Sequence, residues 1–198
     1  MPNDRNRKIK TRVTAVRWTI LAVYMALLTW LDQAVKLYAI RVLKPNGTRE
    51  IIHGVFELRY LENRGAAFGM MRNHQWVFIL FAFIIIAVCL FLESRLLVLR
   101  RKFRPLRIVL ATLIAGAAGN LIDRIAHSYV VDLFYFSLIN FPVFNLADVY
   151  VTVSAVVILL LLMLHYSEED LREIGGKKTR RQYVEDIVDK INKSREQK

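Results

Sequence analysis

The chain has 198 residues, of which 55% are hydrophobic, and a formal net charge of +12. It is too apolar for an ordinary soluble domain and too short for several domains, and its basic residues stand in blocks beside apolar runs, the pattern that orients spans in a bilayer, so nucleic acid is discounted as a partner. The single cysteine, Cys89, excludes an intrachain disulfide and a thiolate metal cluster.

Residues 1–17 set Arg5, Arg7, Lys8, Lys10, Arg12 and Arg17 against one acid, Asp4, which predicts a cytoplasmic N-terminus. Residues 18–40 match the roughly 20 residues a span needs. No small-residue cleavage site follows them, so they are expected to be a retained first helix rather than a signal peptide. Asp32 and Lys36 interrupt its far end four residues apart, acid first, on one helical face. They read as an interfacial ion pair supporting helix depth and packing, or as part of a reactive site.

Residues 43–73 turn polar after the turn signal Pro45, Asn46 and Gly47. Phe56, Leu58 and Tyr60 alternate with Glu57 and Arg59, a period of two that predicts a strand, with residues 49–53 pairing against it across Gly54. A small sheet on the membrane surface is expected. Next, Asn63, Arg64, Gly65, Ala66, Ala67, Phe68 and Gly69 place a polar side chain before residues with almost none. They suit a tight turn re-entering the membrane, or a ledge where Asn63 hydrogen-bonds an extended peptide that the small residues let approach.

Asn73 is placed to cap a second span over 75–97, which Arg95, Arg100, Arg101, Lys102, Arg104 and Arg107 close as a cytoplasmic loop. The third span, 108–126, carries Ala111, Ala115, Gly116, Ala118 and Gly119, small residues that let another helix come close. At its outer end Asn120 shares a face with Asp123 and Arg124. A neighbouring Arg124 would hold Asp123 ionised as scaffold, and its fork of donors suits a carbonyl or carboxylate.

Residues 127–144 contain no Lys or Arg and by charge lie outside. Asp132 stands alone there among Tyr129, Val130, Val131, Leu133 and Phe134, where burial raises a carboxyl pKa. Pro142 precedes the fourth span, 145–166, which opens on Asn145 and Asp148, spaced as a helix-capping pair. An acid inside a span costs up to about 2.5–3.5 kcal/mol, so a functional reading stands beside the cap. The tail, 167–198, carries charges of both signs. It is a solvated tail or a short amphipathic helix on Val184, Ile187, Val188 and Ile191.

Four spans with both ends inside bring Asp132 and Asp148 to the same outer surface. Two carboxylates within reach of one water share a proton, so one serves as general base and the other as general acid toward a carbonyl. That is aspartic-protease logic, with no metal or cofactor. His53, His74, His127 and His165 lack ligand spacing, and no serine stands in a G-x-S-x-G setting. A small proton-coupled transporter is the alternative, although its acids usually lie near the midplane on broken helices of repeated halves, and no repeat is visible.

Five motifs occur in order: Asp32 with Lys36, N-x-G-A-A-F from Asn63 to Phe68, G-N-x-x-D-R from Gly119 to Arg124, V-V-D ending at Asp132, and F-N-x-A-D from Phe144 to Asp148. Together they resemble lipoprotein signal peptidase, or signal peptidase II, a family of bacterial membrane aspartic proteases, over residues 18–166. The resemblance implies an α-helical membrane protein of four transmembrane helices with a small β-sheet on the outer, periplasmic side, and cytoplasmic segments 1–17 and 167–198. It implies Asp132 and Asp148 as the catalytic pair, Asn63, Gly65, Asn120, Arg124 and Asn145 as substrate-binding residues, and Asp32, Lys36 and Asp123 as structural support. Substrates would be prolipoproteins whose lipobox cysteine carries a diacylglyceryl group, cut just before that cysteine at the outer face of the cytoplasmic membrane. Membrane lipid and globomycin-type inhibitors would be further partners.

Overall fold

The computed structural model describes residues 4–65, 75–97, 99, 101–176 and 188. Two compact units divide the chain, Met1–Val156 and Val157–Lys198. The first runs through α1 (Asp4–Tyr38), a π-helical turn (Ala39–Leu43), the one-turn α2 (Lys44–Asn46), β1 (Arg49–Ile52), β2 (Phe56–Asn63), α3 (Gln75–Leu96), a 3-10 turn (Arg101–Phe103), α4 (Arg104–His127), β3 (Val130–Tyr135), a second 3-10 turn (Ser137–Ile139) and most of α5 (Leu146–Leu160). Four helical stretches are long and apolar enough to cross a membrane: Val13–Asn46, Gln75–Leu96, Arg101–His127 and Leu146–His165. They coincide with the four apolar runs. The helix of the first begins well before residue 18, within the basic N-terminal block.

Large apolar side chains point outward from α1, α3 and α5, as Ile20 at 63% exposure, Phe81 and Val153 illustrate. Water would not reward such a surface; a bilayer, as apolar as the side chains, does. The helix α4 is different, since Leu110, Ala111, Ile114, Ala115 and Ala117 are all buried. Its small residues make that possible. Tyr24 of α1 hydrogen-bonds Thr112 at 2.8 Å, and the Thr29 hydroxyl donates to the Ala115 carbonyl at 3.3 Å.

Glycine is required at two places on α4. A Cβ at Gly116 would stand 2.7 Å from the Ala147 carbonyl oxygen, and one at Gly119 would stand 2.5 Å from Asp32 Oδ2. The second matters more, because Asp32 Oδ1 accepts the Ala147 N–H at 2.9 Å and Asp32 Oδ2 meets Lys36 Nζ at 2.9 Å. Gly119→Ala must push this carboxylate off both partners. Overpacking costs about 1–3 kcal/mol, and weakened bonds to a buried charge add about 1.5–3 kcal/mol. The variant should melt several degrees lower in detergent; an unchanged midpoint would mean that Asp32 moves freely.

The three strands form one antiparallel sheet in the order β1-β2-β3. The β1–β2 hairpin turns at Gly54, whose φ of 66° favours glycine, as the alternation of residues 56–61 predicts. Strand β3 was not anticipated from the sequence. Its Val-Val-Asp-Leu-Phe-Tyr run has the β-branched and aromatic content of a strand, and it pairs with β2 through Leu61 opposite Asp132 and Asn63 opposite Val130. Val131 and Leu133 pack with Ala39 and Leu43, and Val35, Tyr38, Leu58 and Tyr60 close round them. The sheet thus sits on the far end of α1.

At the other end of the spans Arg107, grouped by charge with the loop's basic residues, is buried and pairs with Glu93 at 3.1 Å. Arg17 donates to the Leu97 carbonyl at 3.0 Å. In the second unit, α5 ends in a π-helical turn (Leu161–His165), and α6 (Glu168–Ile174) follows. Ser167 and Asp170 cap α6 reciprocally, a Ser-x-x-acid spacing legible in the sequence. The expected cap at Asn73, the ledge residues Ala66, Ala67, Phe68 and Gly69, and Val184, Ile187 and Ile191 lie outside the described residues.

Candidate active site

Three local devices bring the polar residues together. Ser128, at a left-handed φ of 62°, ends α4 with its N–H on the Arg124 carbonyl. The Asp123 carboxylate then accepts the Val131 N–H at 3.0 Å, tying the start of β3 to the helix. Finally Phe144 folds back on β3: its N–H donates to the Phe134 carbonyl at 3.0 Å and its carbonyl accepts the Phe134 N–H at 2.8 Å. Phe56, Phe136 and Phe141 complete an aromatic cluster about Phe134 and Phe144. Asn145, next in the chain, is thereby delivered to Asp132.

Asn145 joins the two acids. Its side-chain NH2 donates to Asp132 Oδ1 at 2.7 Å, and its backbone N–H donates to Asp148 Oδ2 at 3.2 Å. The Asp148 N–H returns to Asn145 Oδ1 at 3.0 Å, so the capping pair is real and the same atoms hold the carboxylates. Asn63 donates to Asp132 Oδ2 at 2.8 Å, and Asn120 donates to Asp148 Oδ1 at 2.8 Å. Asp132 is 1% exposed, whereas Asp148 is half-buried. Burial first, then the negative charge of Asp148, push the Asp132 carboxyl up to about 7, against the amide donors of Asn63 and Asn145 and the Lys36 cation.

Beneath the pair lies a buried hub. Lys36 Nζ meets Asp32 Oδ2 at 2.9 Å, Asp123 Oδ2 at 3.0 Å and Asn120 Oδ1 at 3.0 Å. The interfacial pair expected for Asp32 and Lys36 is therefore present, with Asp123 as a third member. For Asp123 the partner differs from the expected one: Lys36, not Arg124, neutralises it. Arg124 instead lies with its guanidinium carbon 5.0 Å from the Phe78 ring centroid, near the favourable range for a cation over an aromatic face. Its Nη1 reaches back to the Asn120 carbonyl at 3.5 Å, and its buried Nε has no hydrogen-bond partner among the described residues. That one guanidinium donor is thus left unspent among the described residues.

Asn63, Asn120, Asn145, Asp132 and Asp148 therefore converge, with Lys36, Asp32 and Asp123 below them and Arg124 alongside. Gly65 is buried and donates its N–H to Asn63 Oδ1 at 3.1 Å, which turns the Asn63 NH2 toward Asp132. Sequence reasoning missed Gln33, whose NH2 lies 3.1 Å from Asp32 Oδ2, 3.2 Å from the Gly119 carbonyl and 3.0 Å from Asp123 Oδ1. A polar residue beside Asp32 in an apolar span was the available signal. Phe78 was missed too, since one aromatic among many in α3 carries none.

This architecture is that of a polytopic membrane enzyme. A solved bacterial membrane enzyme, refined at 1.9 Å resolution, superposes with a TM-score of 0.63 over 75% of this chain and 95% of its own, at 23% identity. Residues 24–164 match the family model of signal peptidase (SPase) II. The lipoprotein signal peptidase of Clostridioides difficile is 42% identical over 143 residues, 72% of this chain and 93% of that protein. That of Streptococcus agalactiae is 35% identical over 147 residues, 74% of this chain and 94% of its own length. The chain belongs to the signal peptidase II family of membrane proteases. The transporter alternative is left without support.

Proposed function

We propose that the protein is an aspartic endopeptidase that removes signal peptides from diacylglyceryl-modified prolipoproteins, cutting before the lipidated cysteine, with Asp132 and Asp148 as its catalytic pair. The observation that carries this reading is Asn145, one residue whose side chain and backbone donate to both carboxylates. Water between two acids so held loses a proton to Asp148 as it attacks the scissile carbonyl, while the carboxyl of Asp132 donates toward the developing oxyanion. Arg124, whose Nε is unspent among the described residues, and Asn120 line the path of the peptide backbone, and Asn63 with Gly65 forms its ledge. Electrostatic stabilisation by such fixed donors accounts for much of a hydrolase's rate.

The same reading puts both termini in the cytoplasm, by the basic blocks of residues 1–17 and of the loop between the second and third spans, and the acids at the outer face. The diacylglyceryl chains enter sideways between spans, and globomycin-type cyclic lipopeptides compete for the same place. Purified enzyme should cleave a diacylglyceryl-modified lipobox peptide at least about a hundredfold faster than the unmodified peptide, because binding energy from the remote lipid is what positions the scissile bond. Equal rates for the two peptides would remove the lipid from the specificity. Chelator should leave the rate unchanged, and inhibition reversed by added zinc would replace the aspartic mechanism with a metal-assisted one.

A further inference from the structure

We propose that Lys36 is a positioning residue for the reaction: it fixes the Asn120 side-chain amide so that hydrogen is donated to Asp148 and never accepted from it. The inference rests on the reading of Asp148 as a catalytic acid. It assigns Lys36 a task beyond holding α1 to α4.

An ammonium has three hydrogens to donate and no acceptor. All three are used, on Asp32 Oδ2 at 2.9 Å, Asp123 Oδ2 at 3.0 Å and Asn120 Oδ1 at 3.0 Å. The oxygen of Asn120 must therefore face Lys36, whichever way a free amide would turn. Its NH2 is left on the other side, 2.8 Å from Asp148 Oδ1. Asn145 donates to the same oxygen, at 3.1 Å, with its own oxygen held by the Asp148 N–H and its NH2 turned also to Asp132 Oδ1. Lys36 and Asn145 thus set the polarity of the Asn120 amide together, and Lys36 is the charged donor of the two, whose hydrogen bond is the stronger.

Adhesion alone does not account for this arrangement. Two carboxylates stand against one ammonium, with Lys36 2% exposed and Asp32 fully buried, and a buried ion cluster is weak evidence for stability because desolvation offsets the attraction. Gln33 already bridges Asp32, Asp123 and the Gly119 carbonyl with its NH2. What Gln33 does not reach is Asn120. Without Lys36 the Asn120 oxygen keeps only the neutral donor of Asn145, and the amide turns over more readily to set its oxygen against Asp148, which repels the carboxylate or holds a proton on it.

Lys36→Met alone leaves two buried carboxylates without a counter-ion and is at risk of not folding. The test therefore uses Lys36→Met combined with Asp32→Asn, which keeps the hub's net charge, retains an acceptor for the Ala147 N–H and removes the charged donor to Asn120. With a lipidated lipobox peptide, kcat should fall about tenfold to a hundredfold while KM stays within about threefold, the signature of lost transition-state positioning. Asn120→Ala should lower kcat by a similar factor, and adding it to the Lys36→Met/Asp32→Asn protein should cost almost nothing more, because both changes abolish one donation. Two results would overturn the proposal: a folded double variant with parental kcat, or losses that multiply when Asn120→Ala is added. Asp148→Asn, measured alongside, separates the two claims. If it cleaves normally the catalytic reading has failed, and if it is inactive while Lys36 and Asn120 act independently, only the positioning role has.

Discussion

Asp132→Asn and Asp148→Asn should each lower kcat on a lipidated prolipoprotein by about a hundredfold to ten-thousandfold, the range that a positioned acid or base contributes. The two variants should nevertheless differ in how well they fold. Asparagine at 148 keeps an oxygen for the Asn145 N–H, which donates at 3.2 Å, but turns an NH2 toward the NH2 of Asn120, now 2.8 Å from Asp148 Oδ1. At 132 the same conflict arises, since Asn63 and Asn145 donate to its two oxygens at 2.8 and 2.7 Å, but there the site is 1% exposed and water cannot relieve it, whereas residue 148 is half-buried. Asp132→Asn should therefore melt lower at acidic pH than Asp148→Asn, although both remain inactive. Peptide cleavage by mass spectrometry and melting in detergent read the two effects separately. Appreciable activity in either variant, with no contaminating protease, would remove that carboxylate from the mechanism.

Much of this site was legible because its chemistry conflicts with its surroundings. A carboxylate in an apolar run is expensive, and that alone singled out Asp32, Asp123, Asp132 and Asp148. The ion pair between Asp32 and Lys36 followed from their spacing, and the need for small residues on the third span is met at Gly116 and Gly119. Sequence spacing did not reveal how distant residues meet. Asn63 and Asp132 are 69 residues apart and become neighbours only because β3 pairs with β2, a strand hidden in a stretch that its lack of basic residues placed outside. Adjacency in the chain misled in one case. Arg124 follows Asp123 directly, but successive helical residues point about 100° apart, so Asp123 turns to Lys36 while Arg124 turns to Phe78. The Asn145 and Asp148 pair posed a choice between cap and site that the fold does not require, since one set of hydrogen bonds caps α5 and holds both acids.

Activity should be lost on the alkaline side of neutrality. The Asp132 carboxyl is pushed up to about 7, first by burial and then by the charge of Asp148. If its proton is the one donated to the substrate, kcat/KM should fall by about tenfold per pH unit above that value. A profile flat from pH 6 to about 9 would show that Asp132 does not act as the acid. Stability should move with the same group. Raised above the ordinary 3.8, the carboxyl binds its proton more tightly in the folded protein than in the unfolded chain, so its stabilising contribution is complete below about pH 4 and is lost as pH rises toward 7. The slope is at most about 1.4 kcal/mol per pH unit. Melting in detergent should accordingly fall between pH 5 and about 7 in the parent protein, and Asp132→Asn, having no proton to lose, should flatten that fall. In the proposed mechanism, the same burial that readies Asp132 to donate a proton at neutral pH makes its ionised form a strain on the fold, so the loss of activity and part of the loss of stability should share one titration.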